Sequence, residues 1–136
     1  MSVTVTIRDE TAAGAVVHEI PLEIPGERIT VRDLIRERVY QEVQDFNRRG
    51  HDAVFRGLVQ PADSERVLEQ GRTEYRMNRH RTIEWKPQYE KALEAFSRKG
   101  FLILVDDRQA AGLDEAFTVT PATQISFVRL TMLVGG

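Results

Sequence analysis

The chain has no cysteine among its 136 residues. That excludes a disulfide framework, a thiolate metal site and a cysteine nucleophile of its own. It has no excess of charge of one sign: 19 Lys and Arg stand against 21 Asp and Glu, for a net charge of −2. Overall charge therefore gives no argument for a nucleic-acid partner. No apolar run approaches the roughly 20 residues that a membrane span needs. Met1-Ser2-Val3 leads straight into a strand pattern rather than a signal peptide. The expectation is a soluble cytoplasmic protein with no membrane partner. His18, His51 and His80 show no ligand spacing with one another, and no Ser/His/Asp order stands out. No catalytic residue and no metal site are assigned, and the chain is not expected to be an enzyme. Lysine is scarce, with Lys86, Lys91 and Lys99 against sixteen arginines. All three fall on or next to one predicted helix, although a GC-rich genome accounts for the same bias.

What is present suits one ordinary domain spanning 1–136. Hydrophobic residues make up 41% and charged residues 29%. Val3, Val5 and Ile7 alternate with polar residues, which predicts a half-buried strand over 3–8. Residues 9–15 read as a reversing loop. A second alternation, Val16 to Ile24, predicts the other arm of an antiparallel hairpin. Pro21 lacks an N–H and points that arm to a sheet edge. His18 lies on its apolar parity and reads as a packed histidine.

Thr30 is a good N-cap, with Asp33 three residues on. Val31, Leu34, Ile35, Val39, Val43 and Phe46 follow at helical spacing, predicting an amphipathic helix over 31–47. Its solvated face is assigned Arg32, Arg36, Glu37, Glu42 and Asp45. Gly50 is the stop signal.

Residues 48–82 are the least regular part. Phe55, Leu58 and Val59 could dock as a packed segment, with Gly57 allowing a turn. Ser64–Glu69 read as one or two turns of helix. The stretch GRTEYRMNRHRT at 71–82 interleaves four arginines with Tyr75 and His80. Nearby acidic residues favour a solvated loop or a strand pair over a nucleic-acid grip. A second helix is predicted over about 84–99, with Trp85, Tyr89, Ala92, Leu93 and Phe96 on one side. Phe101–Val105 is a continuously apolar strand, Asp106-Asp107-Arg108 a turn, and Leu113–Val119 a short strand or an irregular crossing.

The last stretch, ISFVRLTMLVGG over 125–136, is the most apolar run in the chain. It reads as a central strand running into Gly135-Gly136. One parity holds Ile125, Phe127, Arg129, Thr131 and Leu133, the other Val128, Leu130, Met132 and Val134. Which set faces outward stays open. Either way, an apolar patch should remain unless 48–82 covers it. Glycine has no Cβ, so a terminal pair can lie extended in a narrow enzyme channel and expose its carboxylate.

The order strand, strand, helix, inserted region, strand, short strand, final strand resembles the β-grasp fold of ubiquitin. The expected fold class is therefore α+β: a mixed sheet with a crossing helix and an insertion at about 48–99 that carries a second helix. The segment from Phe101 to Gly136 resembles the C-terminal part of ubiquitin-like modifiers and of prokaryotic sulfur carriers. The matching features are FLILVDDRQ, the acidic turn Leu113-Asp114-Glu115, Thr120-Pro121-Ala122-Thr123, the last strand and the di-glycine. The resemblance implies that Gly136, with Gly135 before it, is the site of adenylation and conjugation. A separate adenylating enzyme would use ATP and Mg²⁺, neither bound by this chain. A conjugating enzyme and an isopeptidase are the further partners. Arg129, Leu130, Met132, Leu133 and Val134 would make the partner-binding stretch. The product would be an isopeptide bond to a target lysine or a C-terminal thiocarboxylate that donates sulfur. Leu133-Val134 stand where ubiquitin carries arginine, as in the sulfur carriers. A non-conjugated β-grasp interaction domain is the remaining reading.

Overall fold

The structure is a computed structural model that describes residues 2–50, 53–69, 72–79 and 82–130. Ten strands and two helices are assigned among them. The alternating N-terminal residues form β1 (Val3–Glu10) and β2 (Val16–Ile24), paired antiparallel as expected. β1 runs two residues further than the sequence suggests, because Asp9 and Glu10 keep pairing with β2 across a register shift. After the short β3 (Arg28–Thr30) comes α1 (Val31–Arg49). Its N-terminus is closed by Thr30, whose hydroxyl accepts from the Asp33 N–H at 3.1 Å. The N–H groups of Val31 and Arg32 donate to the carbonyls of Glu115 and Leu113. The loop before β9 (Ala116–Thr118) thus satisfies helix donors that would otherwise be unpaired. Gly50 ends α1 at φ 74°, a left-handed cap that glycine adopts without a Cβ clash.

The main sheet has five strands in the order β2-β1-β10-β7-β8. β7 is Phe101–Val105, β8 Arg108–Gln109 and β10 Gln124–Arg129. β10 lies at the centre, parallel to β1 and antiparallel to β7. β2 lies at one edge, as Pro21 requires. Asp106 and Asp107 both take positive φ in the two-residue turn between β7 and β8, a conformation aspartate tolerates better than most residues. Val5, Ile7, Leu22, Ile24, Ile103, Val105, Ile125 and Phe127 share the sheet face that α1 covers with Leu34, Ile35, Val39 and Val43; all are buried. Ile20, on the same face, is half-buried.

The inserted region makes its own three-stranded sheet, β4-β6-β5, from β4 (Val54–Phe55), β5 (Ser64–Glu69) and β6 (Arg72–Met77). Ser64–Glu69 is thus a strand, not helix turns. Its cross-strand ladder with β6 overrides a local pattern too short to fix the period. The stretch from Arg72 is accordingly one arm of a strand pair. Phe55, Tyr75 and Met77 turn inward and are buried, with Phe55 edge-on to Phe46 at 5.5 Å. The chain returns through α2 (Trp85–Ser97), which lies beside α1. Trp85 meets Tyr40 edge-on at 5.4 Å, and Phe96 reaches Phe101 of the main sheet at 5.7 Å. No helix among the described residues is long and apolar enough to cross a membrane.

Candidate functional site

The centre of the sheet determines what a terminal site would be built upon. β10 is held on both sides by ladders, to β1 through Thr6–Glu10 and to β7 through Phe101–Val105. Its final described hydrogen bond runs from the Leu130 N–H to the Gly100 carbonyl at 3.0 Å. The open question of parity is resolved here. Ile125, Phe127 and Arg129 turn toward α1, with Ile125 and Phe127 fully buried. Val128, with Leu102 and Leu104 of β7 beside it, occupies the opposite face and is half-buried. The inserted sheet packs on the α1 side, so this outer apolar strip stays uncovered by it.

Arg129 lies at the junction of the sheet and the insertion. Its guanidinium donates to the Gly57 carbonyl at 2.9 Å and to the Tyr75 hydroxyl at 3.3 Å. Of the expected partner-binding stretch, Arg129 is therefore tied into the molecule and Leu130 is half-buried. Met132, Leu133, Val134, Gly135 and Gly136 lie outside the described residues.

Beneath Arg129 is a buried charge cluster. Arg38 is 1% exposed. It makes a bidentate pair with Asp9, at 2.6 and 2.8 Å, and its Nε donates to Glu42 at 3.0 Å. Its guanidinium also stands 4.5 Å from the Phe127 ring centroid. The second oxygen of Glu42 accepts from the Leu58 N–H at 3.1 Å. One arginine thus joins β1, α1, β10 and, through Glu42, the insertion. Burial alone would raise the Asp9 carboxyl, but the Arg38 charge and its two hydrogen bonds, with His18 nearby, hold it far below the usual range. Arg38 is disfavoured by burial yet held above its ordinary value by Asp9 and Glu42. Burial pushes Glu42 up, against Arg38 and the Leu58 N–H. His18 Nδ1 lies 3.8 Å from Asp9, so His18 is a partner of this cluster.

The solvated face expected for α1 is therefore corrected at Glu42, whose side chain is 8% exposed. The sequence carried a usable signal. Arg38 and Glu42 follow Leu34 at steps of four, so both fall on the apolar stripe. One carboxylate cannot satisfy the five N–H donors of a buried arginine, and Asp9 accepts from two of those left. Gly57 is also reassigned. A Cβ there would stand 2.2 Å from the Phe55 ring, so glycine is required by close approach rather than by a turn. Among the described residues no group of three or more His, Asp or Glu is placed to hold a metal ion.

Compared with family models, with curated proteins and with solved structures, the chain matches none.

Proposed function

We propose that this chain is a ubiquitin-like protein modifier of β-grasp fold. The Gly136 carboxylate is activated by an ATP-dependent adenylating enzyme and passed on for conjugation. One observation carries the reading: the strand heading toward Gly135-Gly136 is the central strand, parallel to β1, with α1 crossing the sheet. A tail that must enter another protein's active site needs a base that does not give way. β10, with ladders on both sides, supplies one. The half-buried apolar strip of Leu102, Leu104 and Val128 supports the reading as a surface for the activating enzyme to grip. The chain is the substrate in this reaction, so the chemistry lies in the enzyme. ATP adenylates the carboxylate with release of pyrophosphate, and the acyl group then moves to a nucleophile with release of AMP.

A sulfur-carrier function is the second reading, favoured by Leu133-Val134 before the glycines. Intact mass separates the two after incubation with an adenylating enzyme, ATP and Mg²⁺. A modifier gains the mass of a lysine-linked target. A carrier gains about 16 Da as carboxylate oxygen is replaced by sulfur. A protein whose mass is unchanged under both sulfide and target supply is instead a non-conjugated interaction domain.

A further inference from the structure

The insertion and the main sheet line a small cleft that is partly open to solvent. β1 and β2 form one wall, with Asp9, Glu10 and Val17; the insertion forms the other, with Arg56, Gly57 and Arg72; Arg129 stands between them. Three guanidiniums and three carboxylates line it, and their pairing decides its character. Each carboxylate is already engaged. Asp9 is held by Arg38 behind the wall, Glu10 accepts from the Ser126 hydroxyl at 2.6 Å, and Glu74 accepts from Arg56 at 2.6 Å. Two of the three cations have no carboxylate of their own at salt-bridge distance among the described residues, although the Arg129 charge does act on Asp9. Arg129 donates to two neutral oxygens, the Tyr75 hydroxyl and the Gly57 carbonyl. Arg72 has no ion-pair partner among the described residues. A guanidinium carries five N–H donors, so both retain donors for a ligand. Val17 and the Gly57 backbone give the cleft an uncharged wall.

We infer that this cleft binds a small molecule with a flat apolar body and one anionic head, carboxylate or phosphate, held by Arg72 and Arg129. Both arginines line the same cleft, and a guanidinium binds an oxyanion through charge-assisted hydrogen bonds. The uncharged wall favours a ligand body over a bare ion. The site is built jointly by the insertion and the main sheet, so it gives the insertion a role independent of how the terminal glycines are used.

The test is a titration of the full chain, ¹⁵N-labelled, with phenyl phosphate, benzoate, benzyl alcohol and inorganic phosphate in turn. The expected result is saturable shifts of the Val17, Gly57 and Thr73 amides with phenyl phosphate or benzoate; whichever binds more tightly identifies the head group. Arg72→Gln, which removes a half-exposed charge from a strand surface, should weaken that binding about tenfold with the rest of the spectrum preserved. Arg129→Lys keeps the charge but loses the fork and should weaken it by a smaller factor. No shift at those amides up to about 10 mM ligand would overturn the inference. So would equal binding of benzyl alcohol, equal binding of inorganic phosphate, or an Arg72→Gln protein that binds as the original does.

Discussion

The main sheet with α1 and the inserted region between α1 and α2 are held together by different means. The main sheet is organised by repetition. Apolar residues on β1, β2, β7 and β10 meet an apolar helical stripe, and most inward positions away from the Asp9–Arg38–Arg129 end are aliphatic. The insertion buries Phe55, Leu58, Val59, Tyr75 and Met77, and particular polar contacts join it to the two helices. Asn47 exchanges two hydrogen bonds with the Ile83 backbone, Gln88 reaches the Val59 carbonyl, and Glu42 holds the Leu58 N–H. A periodic core tolerates exchange of one aliphatic residue for another of similar volume. A junction held by single polar contacts does not, because each lost partner leaves a buried group unsatisfied. The two regions meet at Arg38, Glu42 and Arg129, and that seam is where the comparison can be broken most sharply.

The largest effect is expected at Asp9. Asp9→Ala leaves Arg38 buried with only one of its two carboxylates. It should cost about 3–5 kcal/mol, read as a shift of the urea midpoint. The same residue sets an acid dependence. Its folded-state carboxyl is held below its unfolded value, so its contribution is complete above about pH 4 and is lost as pH falls from there. Glu42 acts with the opposite sign, since a raised carboxyl is relieved by protonation as pH falls. Asp9→Asn should therefore flatten the loss of stability between neutral and acid pH. An unchanged acid slope would show that Asp9 is not the group responsible.

Leu34→Ala comes next, at about 2–5 kcal/mol, because it opens a cavity in the periodic core. Amide exchange should then accelerate across β1, β10 and α1 together. Gly57→Ala should cost about 1–3 kcal/mol, since the new Cβ meets the Phe55 ring. Here the two regions should separate: exchange should quicken in β4–β6 while β1 and β10 keep their protection. Uniform acceleration in both regions would mean that they unfold as one unit. The smallest effect is Thr30→Ala, about 1 kcal/mol from loss of the α1 cap.

The same contrast governs what could be read from the sequence. Periodicity of two gave β1 and β2, continuous apolar runs gave β7 and β10, and a period of 3.6 gave α1, because each pattern repeats or persists long enough to be recognised. The core residues of α1 follow directly. The insertion was harder for a physical reason. Ser64–Glu69 has neither a long period nor a turn dipeptide, and only its pairing with β6 makes it a strand. Glu42 looked solvated because acidic residues on a helix usually are. Its step of four from Arg38 was legible, but the carboxylate completing the cluster lies 29 positions from Arg38 in the chain. Cross-chain pairing of that kind leaves no local mark. The di-glycine reading concerns residues that lie outside those the structure describes.

The central claim is that Gly136 is the reacting end of a domain built to present it. ATP–pyrophosphate exchange with an adenylating enzyme, run on the original protein and on one lacking Gly136, tests it most directly. Terminal residues make few contacts, so the deletion should leave the urea midpoint within about 0.5 kcal/mol of the original. The account predicts exchange with the original protein and none with the shortened one. Equal exchange from both proteins, or none from the original with any adenylating enzyme of its own genome, would contradict it.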